Sequence, residues 1–216
     1  MLEPLLPPFA ACAETRRDLL DIELFPSEAE TLGRAVDKRR REFITGRACA
    51  RLALERLGVA PAAIPGGAGG APVWPEGVVG SITHCRGFRA AAVARATDAL
   101  ALGIDAEPDA PLPPGVLEEV AHGPELDIVA AGGPGADAGR LLFTAKEAVY
   151  KAWFPLTGRW LGFEDARVSL DWPGGTFRAE LLVPAPLVAG VDLSTFTGRW
   201  SAAGGVICAT VAVSAP

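Results

Sequence analysis

The chain has 216 residues, 50% of them hydrophobic and 21% charged, a globular composition that excludes disorder and fibre and allows one large domain or two small ones. A net charge of -6 argues against wholesale affinity for nucleic acid, because the phosphate backbone would be repelled on average. The mean hydropathy of +0.26 comes from alanine, and no run reaches the roughly 18 uninterrupted apolar residues that a membrane span needs.

The N-terminal residues Met1-Leu2-Glu3-Pro4-Leu5-Leu6-Pro7-Pro8 place an acid and prolines where a signal peptide has a cationic segment and a long apolar one, so a cytoplasmic protein is expected. Cys12, Cys49, Cys85 and Cys208 are far apart and form neither a zinc pattern nor a disulfide framework. Residues 34–51 hold seven of the twenty basic residues: Arg34, Lys38, Arg39, Arg40, Arg41, Arg47 and Arg51. Phe43, Ile44, Ala48, Leu52, Leu54 and Leu57 recur there at helical spacing, which predicts one helix over about 28–57 with Gly46 as its weak point. A solvated basic helix face is the plain alternative to a phosphate-binding one.

Residues 61–77, rich in proline, glycine and alanine, predict a loop, and strands are expected at about 78–82 and 89–95. Leu100 to Asp105 predicts a buried strand ending in acids before Pro108. A connector follows over 108–139, in which Leu112, Val116, Leu117, Val120, Leu126 and Ile128 could give short helices an exposed apolar face for a partner. A helix over 140–154 and strands at 168–170, 177–181 and 206–213 complete the chain. The order helix, strands, linker, helix, strands thus occurs twice without a sequence repeat.

Gly103-Ile104-Asp105-Ala106-Glu107-Pro108 puts two carboxylates two residues apart, on one side of an extended chain, where both can reach one cation. Mg²⁺ typically takes one or two carboxylates and accepts phosphate oxygens from its substrate. Two solvated acids at a strand end are the plainer reading of this hexapeptide alone. In Phe143-Thr144-Ala145-Lys146-Glu147-Ala148-Val149-Tyr150-Lys151, Glu147 and Lys151 share a helix face, most simply as a surface ion pair. Against that stands lysine usage: the chain has three lysines, Lys38, Lys146 and Lys151, and two lie in this segment, which suggests compact ammonium groups near phosphate. His84, just past a strand, is by itself more simply structural, and the five tryptophans read as core or interface anchors.

Taken together, these segments resemble the Sfp-type 4′-phosphopantetheinyl transferases. The two signature segments are Gly103 to Glu107 and Phe143 to Lys151. Arg39 to Arg47, Trp74 to Cys85 and Lys151 to Phe163 look like the actinobacterial branch of that family. The resemblance implies an α+β fold of two similar halves related by a pseudo-twofold, here divided as 1–103 and 104–216. It implies transfer of the phosphopantetheine arm of coenzyme A to a serine of an apo acyl or peptidyl carrier protein, releasing adenosine 3′,5′-bisphosphate. Carriers of fatty acid, polyketide, nonribosomal peptide and siderophore synthesis all fit that description. Asp105, Glu107 and Glu147 would hold Mg²⁺, while Arg39, Arg40, Arg47, Thr83, His84 and Lys146 would bind coenzyme A. Glu147, directly or through a metal-bound water, would take the serine proton, and Lys151 would stabilise the transferring phosphate. A monomer without nucleic-acid or membrane partners is expected.

The chain departs from the family near Gly69, where a lysine or arginine is frequent, so part of the 3′-phosphate grip is missing. Ala106 likewise offers no third carboxylate. The alternatives are a carrier-protein or coenzyme A binding module without turnover, and a generic Mg²⁺-dependent phosphohydrolase.

Overall fold

The computed structural model describes all 216 residues. Strand β1 (Ala11–Thr15) precedes two helices, α1 (Pro26–Leu32) and α2 (Asp37–Arg56), and the hairpin of β2 (Val78–Cys85) and β3 (Phe88–Arg95). The second half runs β4 (Ala99–Pro108), α3 (Val116–Val120), α4 (Pro124–Ala131), α5 (Ala138–Thr157), β5 (Ala166–Asp171), β6 (Thr176–Leu181), the short pair β7 (Leu187–Val188) and β8 (Val191–Asp192), β9 (Thr195–Ala203) and β10 (Val206–Ser214). The antiparallel sheets have the orders β1-β3-β2 and β4-β10-β9-β6-β5. In each half the strand before the long helix, β1 or β4, pairs with the last strand, β3 or β10, so the α+β fold repeats its connectivity. Residue 103, where the halves were expected to divide, lies inside β4. No helix is long and apolar enough to cross a membrane.

The expected single helix over 28–57 is two helices. Gly33 breaks it with φ +53, a left-handed conformation that costs glycine little. Gly46 stays helical, and its missing side chain serves packing instead: a Cβ there would come 3.1 Å from Ile82 Cγ2 on β2. The strand expected to stop at Asp105 runs on to Pro108, because β10 pairs along its whole length with Asp105 opposite Ala209 and Glu107 opposite Ile207. Most of the connector's apolar face turns inward. Val120 is fully buried, and Leu112, Val116 and Leu117 pack on the core under α5, leaving Leu126 at 49% exposure.

Two features of β4 set the site. Its outer edge faces β2 without a full backbone ladder: the Ile104 amide donates to Ser81 Oγ at 3.1 Å and the Ala106 amide to Thr83 Oγ1 at 3.0 Å. The partners advance together by two residues, so β2 and β4 run parallel, with side-chain hydroxyls standing where carbonyls would. Hydrophobic residues behind this seam, among them Leu2, Phe88, Leu102, Ile104 and Cys208, form one core shared by both halves.

The other feature is Gly103. A Cβ there would lie 2.0 Å from the Ala148 carbonyl oxygen and 2.8 Å from the Ala152 nitrogen, so α5 rests directly on the β4 backbone. Gly103→Ala is therefore expected to cost about 1–3 kcal/mol through overpacking that only a backbone shift relieves. The measurement is a urea midpoint, which should fall at constant m-value.

Candidate active site

Helical periodicity on α5 and the close approach at Gly103 bring Glu147 and Lys151 over the acidic end of β4. Lys151 Nζ donates to Asp105 Oδ1 at 2.7 Å, and Thr83 Oγ1 donates to the same oxygen at 3.1 Å. Asp105 is 5% exposed, and its other oxygen, Oδ2, is buried with no partner. Glu107 Oε2 accepts from Arg140 Nη1 at 3.0 Å. Burial, then the Asp105 charge, push the carboxyls of Glu107 and Glu147 above the ordinary carboxylate range, while Lys151 pulls both back. The two displaced acids beside a buried third mark a negative focus that lacks a full complement of cations.

His84 follows from β2 on the same side. Its Nε2 lies 2.9 Å from Arg39 Nη1 and its Nδ1 3.6 Å from Glu42 Oε2. Burial lowers the imidazole pKa, with Glu42 opposing and Arg39 reinforcing. The neutral ring accepts from Arg39 at Nε2 and carries its proton on Nδ1, towards Glu42.

These groups line one polar cavity of about 330 Å³ whose walls are Ile82, Thr83, His84, Asp105, Glu107, Phe143, Glu147 and Lys151. It shares Ile82, Glu147 and Lys151 with a longer, more apolar cleft of about 620 Å³ between the 67–73 loop, Trp74 and the α5 side chains Tyr150 and Phe154. A charged chamber opening on a narrow apolar one suits a molecule with a phosphorylated head and a long neutral arm. A groove of about 690 Å³ between Leu5–Pro8 and the far face of the large sheet is wider, but Asp171 is its only acid and neither histidine nor lysine lines it. Chemistry, not size, selects the site.

Of the residues expected at the site, Asp105, Glu107, Glu147, Lys151, Thr83 and His84 converge, and Arg39 joins through His84. Arg40 stands exposed on α2. Arg47 is turned inward: its Nε donates to the Ile64 carbonyl at 2.8 Å, its guanidinium lies 3.9 Å from the Phe43 ring centre, and burial brings its pKa down to about 10. Arg40 and Arg47, both expected to bind coenzyme A, therefore do not share a phosphate-facing side.

Lys146 is a further correction. Only 3% exposed, it spends its three protons on Glu125 Oε2 and the carbonyls of Val120 and Phe163, all at 2.7–2.8 Å. Adjacent helix positions point about 100° apart, so with Glu147 in the cleft Lys146 faces α3 and α4 instead. Its role is to anchor the connector. The loop at Gly69 explains the missing cation: φ is +61 and a Cβ would meet Phe154 Cζ at 2.8 Å, so a side chain there is both strained and blocked.

Arg140 was not singled out from the sequence, although a signal was present. It lies seven residues before Glu147, two turns along the same helix face.

Asp105 Oδ2, buried and unpartnered between raised carboxyls, fits a hard divalent cation, which would supply the missing positive charge. No three acidic, histidine or cysteine side chains form a closed cage, and Mg²⁺ does not require one, since water and phosphate complete its shell.

The description "4′-phosphopantetheinyl transferase N-terminal domain" matches residues 27–94, and "4′-phosphopantetheinyl transferase superfamily" matches residues 101–195. The chain is 52% identical to the 4′-phosphopantetheinyl transferase Svp of Streptomyces mobaraensis, over 100% of this chain and 90% of the relative. It is 48% identical to Npt of Nocardia iowensis over 98% and 99%, and 45% identical to PptT of Mycobacterium tuberculosis over 93% and 91%, both also 4′-phosphopantetheinyl transferases. With both halves matched and the polar and apolar chambers in place, the chain belongs to the 4′-phosphopantetheinyl transferase superfamily, whose members transfer phosphopantetheine from coenzyme A to carrier proteins.

Proposed function

We propose that the polar chamber holds the diphosphate of coenzyme A with Mg²⁺ on Asp105, Glu107 and Glu147, and that the serine of an apo carrier protein attacks there. The observation that carries this reading is the unpartnered buried Oδ2 of Asp105, whose side chain lines the polar chamber. The bound cation would supply neutralisation of the diphosphate charge.

The chain's own groups do the rest. Glu147, whose carboxyl burial and Asp105 raise above the ordinary carboxylate range, accepts the serine hydroxyl proton at its carboxylate oxygen. Lys151 leaves Asp105 for the transferring phosphate and stabilises charge there, in keeping with phosphoryl transfer being mostly positioning and electrostatics. Arg39 donates to the 3′-phosphate beside His84, a contact suited to its fork of N–H groups. The pantetheine arm lies in the apolar cleft along Trp74, Tyr150 and Phe154.

Four buried free thiols and no disulfide suit the reducing cytoplasm. The direct test mixes the protein with coenzyme A, Mg²⁺ and an apo carrier protein and weighs the carrier. Gain of the phosphopantetheine mass supports transfer; binding without mass gain would favour a module, and phosphate release alone a hydrolase.

The carrier is proposed to dock on the connector that leaves the site directly after Glu107. Leu126 is its one large apolar side chain close to half exposed, whereas Leu112, Val116 and Leu117 lean on the core. Leu126→Asp is expected to raise KM for the carrier several-fold and leave KM for coenzyme A unchanged, as loss of binding to one substrate requires. Equal changes in both steady-state constants would move docking elsewhere.

A further inference from the structure

We propose that Arg140 is a positioning residue that presents Glu107 to the metal. This rests on the reading above of Glu107 as a ligand, but nothing in the sequence motifs assigns Arg140 a role.

The guanidinium is used on three sides. Nη1 donates to Glu107 Oε2 at 3.0 Å, Nε to the Ala110 carbonyl at 3.0 Å and Nη2 to the Pro111 carbonyl at 2.9 Å. Its own amide donates to Asp137 Oδ1 at 2.8 Å, the cap of α5, and the Asp137 amide donates to Asp109 Oδ1 at 2.9 Å. The chain leaving β4 after Glu107 is thereby tied to the first turn of α5. The two carbonyls fix the plane of the fork, and the fork fixes one oxygen of Glu107 while Oε1 stays free for a cation.

The contrast with Lys151 separates the two cations of the site. Lys151 holds Asp105 by a single contact on a flexible stem at 28% side-chain exposure, so it can leave when phosphate arrives. Arg140, at 13% side-chain exposure and with each nitrogen engaged, stays. A cation so close to the site opposes a metal ion by charge and favours it by orienting the ligand. Outer partners of metal ligands usually act in the second way, and losing one weakens metal affinity about 10–100-fold.

The test is Mn²⁺ titrated into the full chain with saturating coenzyme A, free Mn²⁺ being read by electron paramagnetic resonance. Glu107→Gln, Arg140→Gln and the double variant complete a cycle. Arg140→Gln is expected to weaken Mn²⁺ binding about 10–100-fold, and the double variant to bind no more weakly than Glu107→Gln alone. Unchanged or tighter binding in Arg140→Gln, with Glu107→Gln weakened, overturns the positioning role and leaves a structural clamp. Additive losses overturn it too, since Arg140 would then act independently of Glu107. Unchanged binding in Glu107→Gln sinks instead the ligand reading on which the proposal stands. If Arg140→Gln does not fold, Arg140→Lys takes its place in the cycle: it keeps the charge but cannot span two carbonyls and a carboxylate. A loss in Arg140→Lys that vanishes in the Glu107→Gln background supports the proposal, and its absence overturns it.

Discussion

Asp105→Asn is expected to reduce kcat/KM for carrier modification by at least about 100-fold, roughly 2.7 kcal/mol of transition-state stabilisation. The carboxylate accepts from Lys151 and Thr83 through one oxygen and leaves the other buried without a partner, so an amide removes both the charge and the free acceptor. Asn keeps the size and the acceptor for Thr83, which confines the change to the charge and the free oxygen. Ala is a poorer test than the motif suggests. Asp105 sits in mid-strand opposite Ala209 at 5% exposure, and truncation strands the Lys151 ammonium and the Thr83 hydroxyl at a cost of about 1–3 kcal/mol. Mass spectrometry of the carrier gives the rate, and a thermal melt shows that the variant is folded. A folded Asn variant retaining more than about a tenth of the turnover, a loss under roughly 1.4 kcal/mol, removes Asp105 from the site.

The legible part of this site is the part written in short-range spacing. Two acids at i and i+2 of a strand, and Glu147 with Lys151 at i and i+4 of a helix, each declare a shared face, and the structure turns both faces into one chamber. What spacing could not give is which neighbour of a motif residue faces away. Lys146 stands next to Glu147 in sequence and points into the core, where Glu125 also accepts the amides of Val168 and His122. Its partners lie between 17 and 26 residues away along the chain, beyond any local pattern. Arg47 went the same way, because a helix turned towards a sheet buries a basic residue as readily as an apolar one when a carbonyl and an aromatic face await it.

Among the elements, the long helices and central strands were legible from periodicity, whereas β1, β9 and the two-residue strands β7 and β8 were not. β1 is Ala-Cys-Ala-Glu-Thr, short and poor in branched residues, and is ordered by pairing with β3. β9 carries a readable alternation, with Phe196, Gly198 and Trp200 inward against Thr197 and Arg199, but Gly198 interrupts the apolar run. That glycine is required by packing: a Cβ would meet Phe177 Cζ at 2.1 Å. The seam between β2 and β4, which decides where the chamber opens, depends on Ser81 and Thr83 replacing backbone acceptors, and no propensity encodes that substitution.

Glu147→Gln is expected to lower kcat about 10²–10⁴-fold, the range for loss of a general base, while leaving the metal-free protein as stable as wild type or more so at pH 8. Burial, then Asp105, raise the Glu147 carboxyl above its ordinary 4.5, and Lys151 only partly offsets them. A carboxyl raised in the folded state binds its proton more tightly there than in the unfolded chain. Its stabilising contribution is therefore complete below pH 4.5 and is lost as pH rises through the folded value. Above that window the wild type carries an ionised, partly desolvated acid facing Asp105, and the Gln variant does not. Melting temperatures in chelator should thus diverge in favour of the variant between about pH 4.5 and 8, and a divalent ion should narrow the gap by stabilising the wild type more. A variant that melts below wild type at pH 8 would show that Lys151 outweighs burial and Asp105 at this site. A variant with intact kcat would pass the serine proton to another acceptor, and with it the case for Glu147 as the base would end.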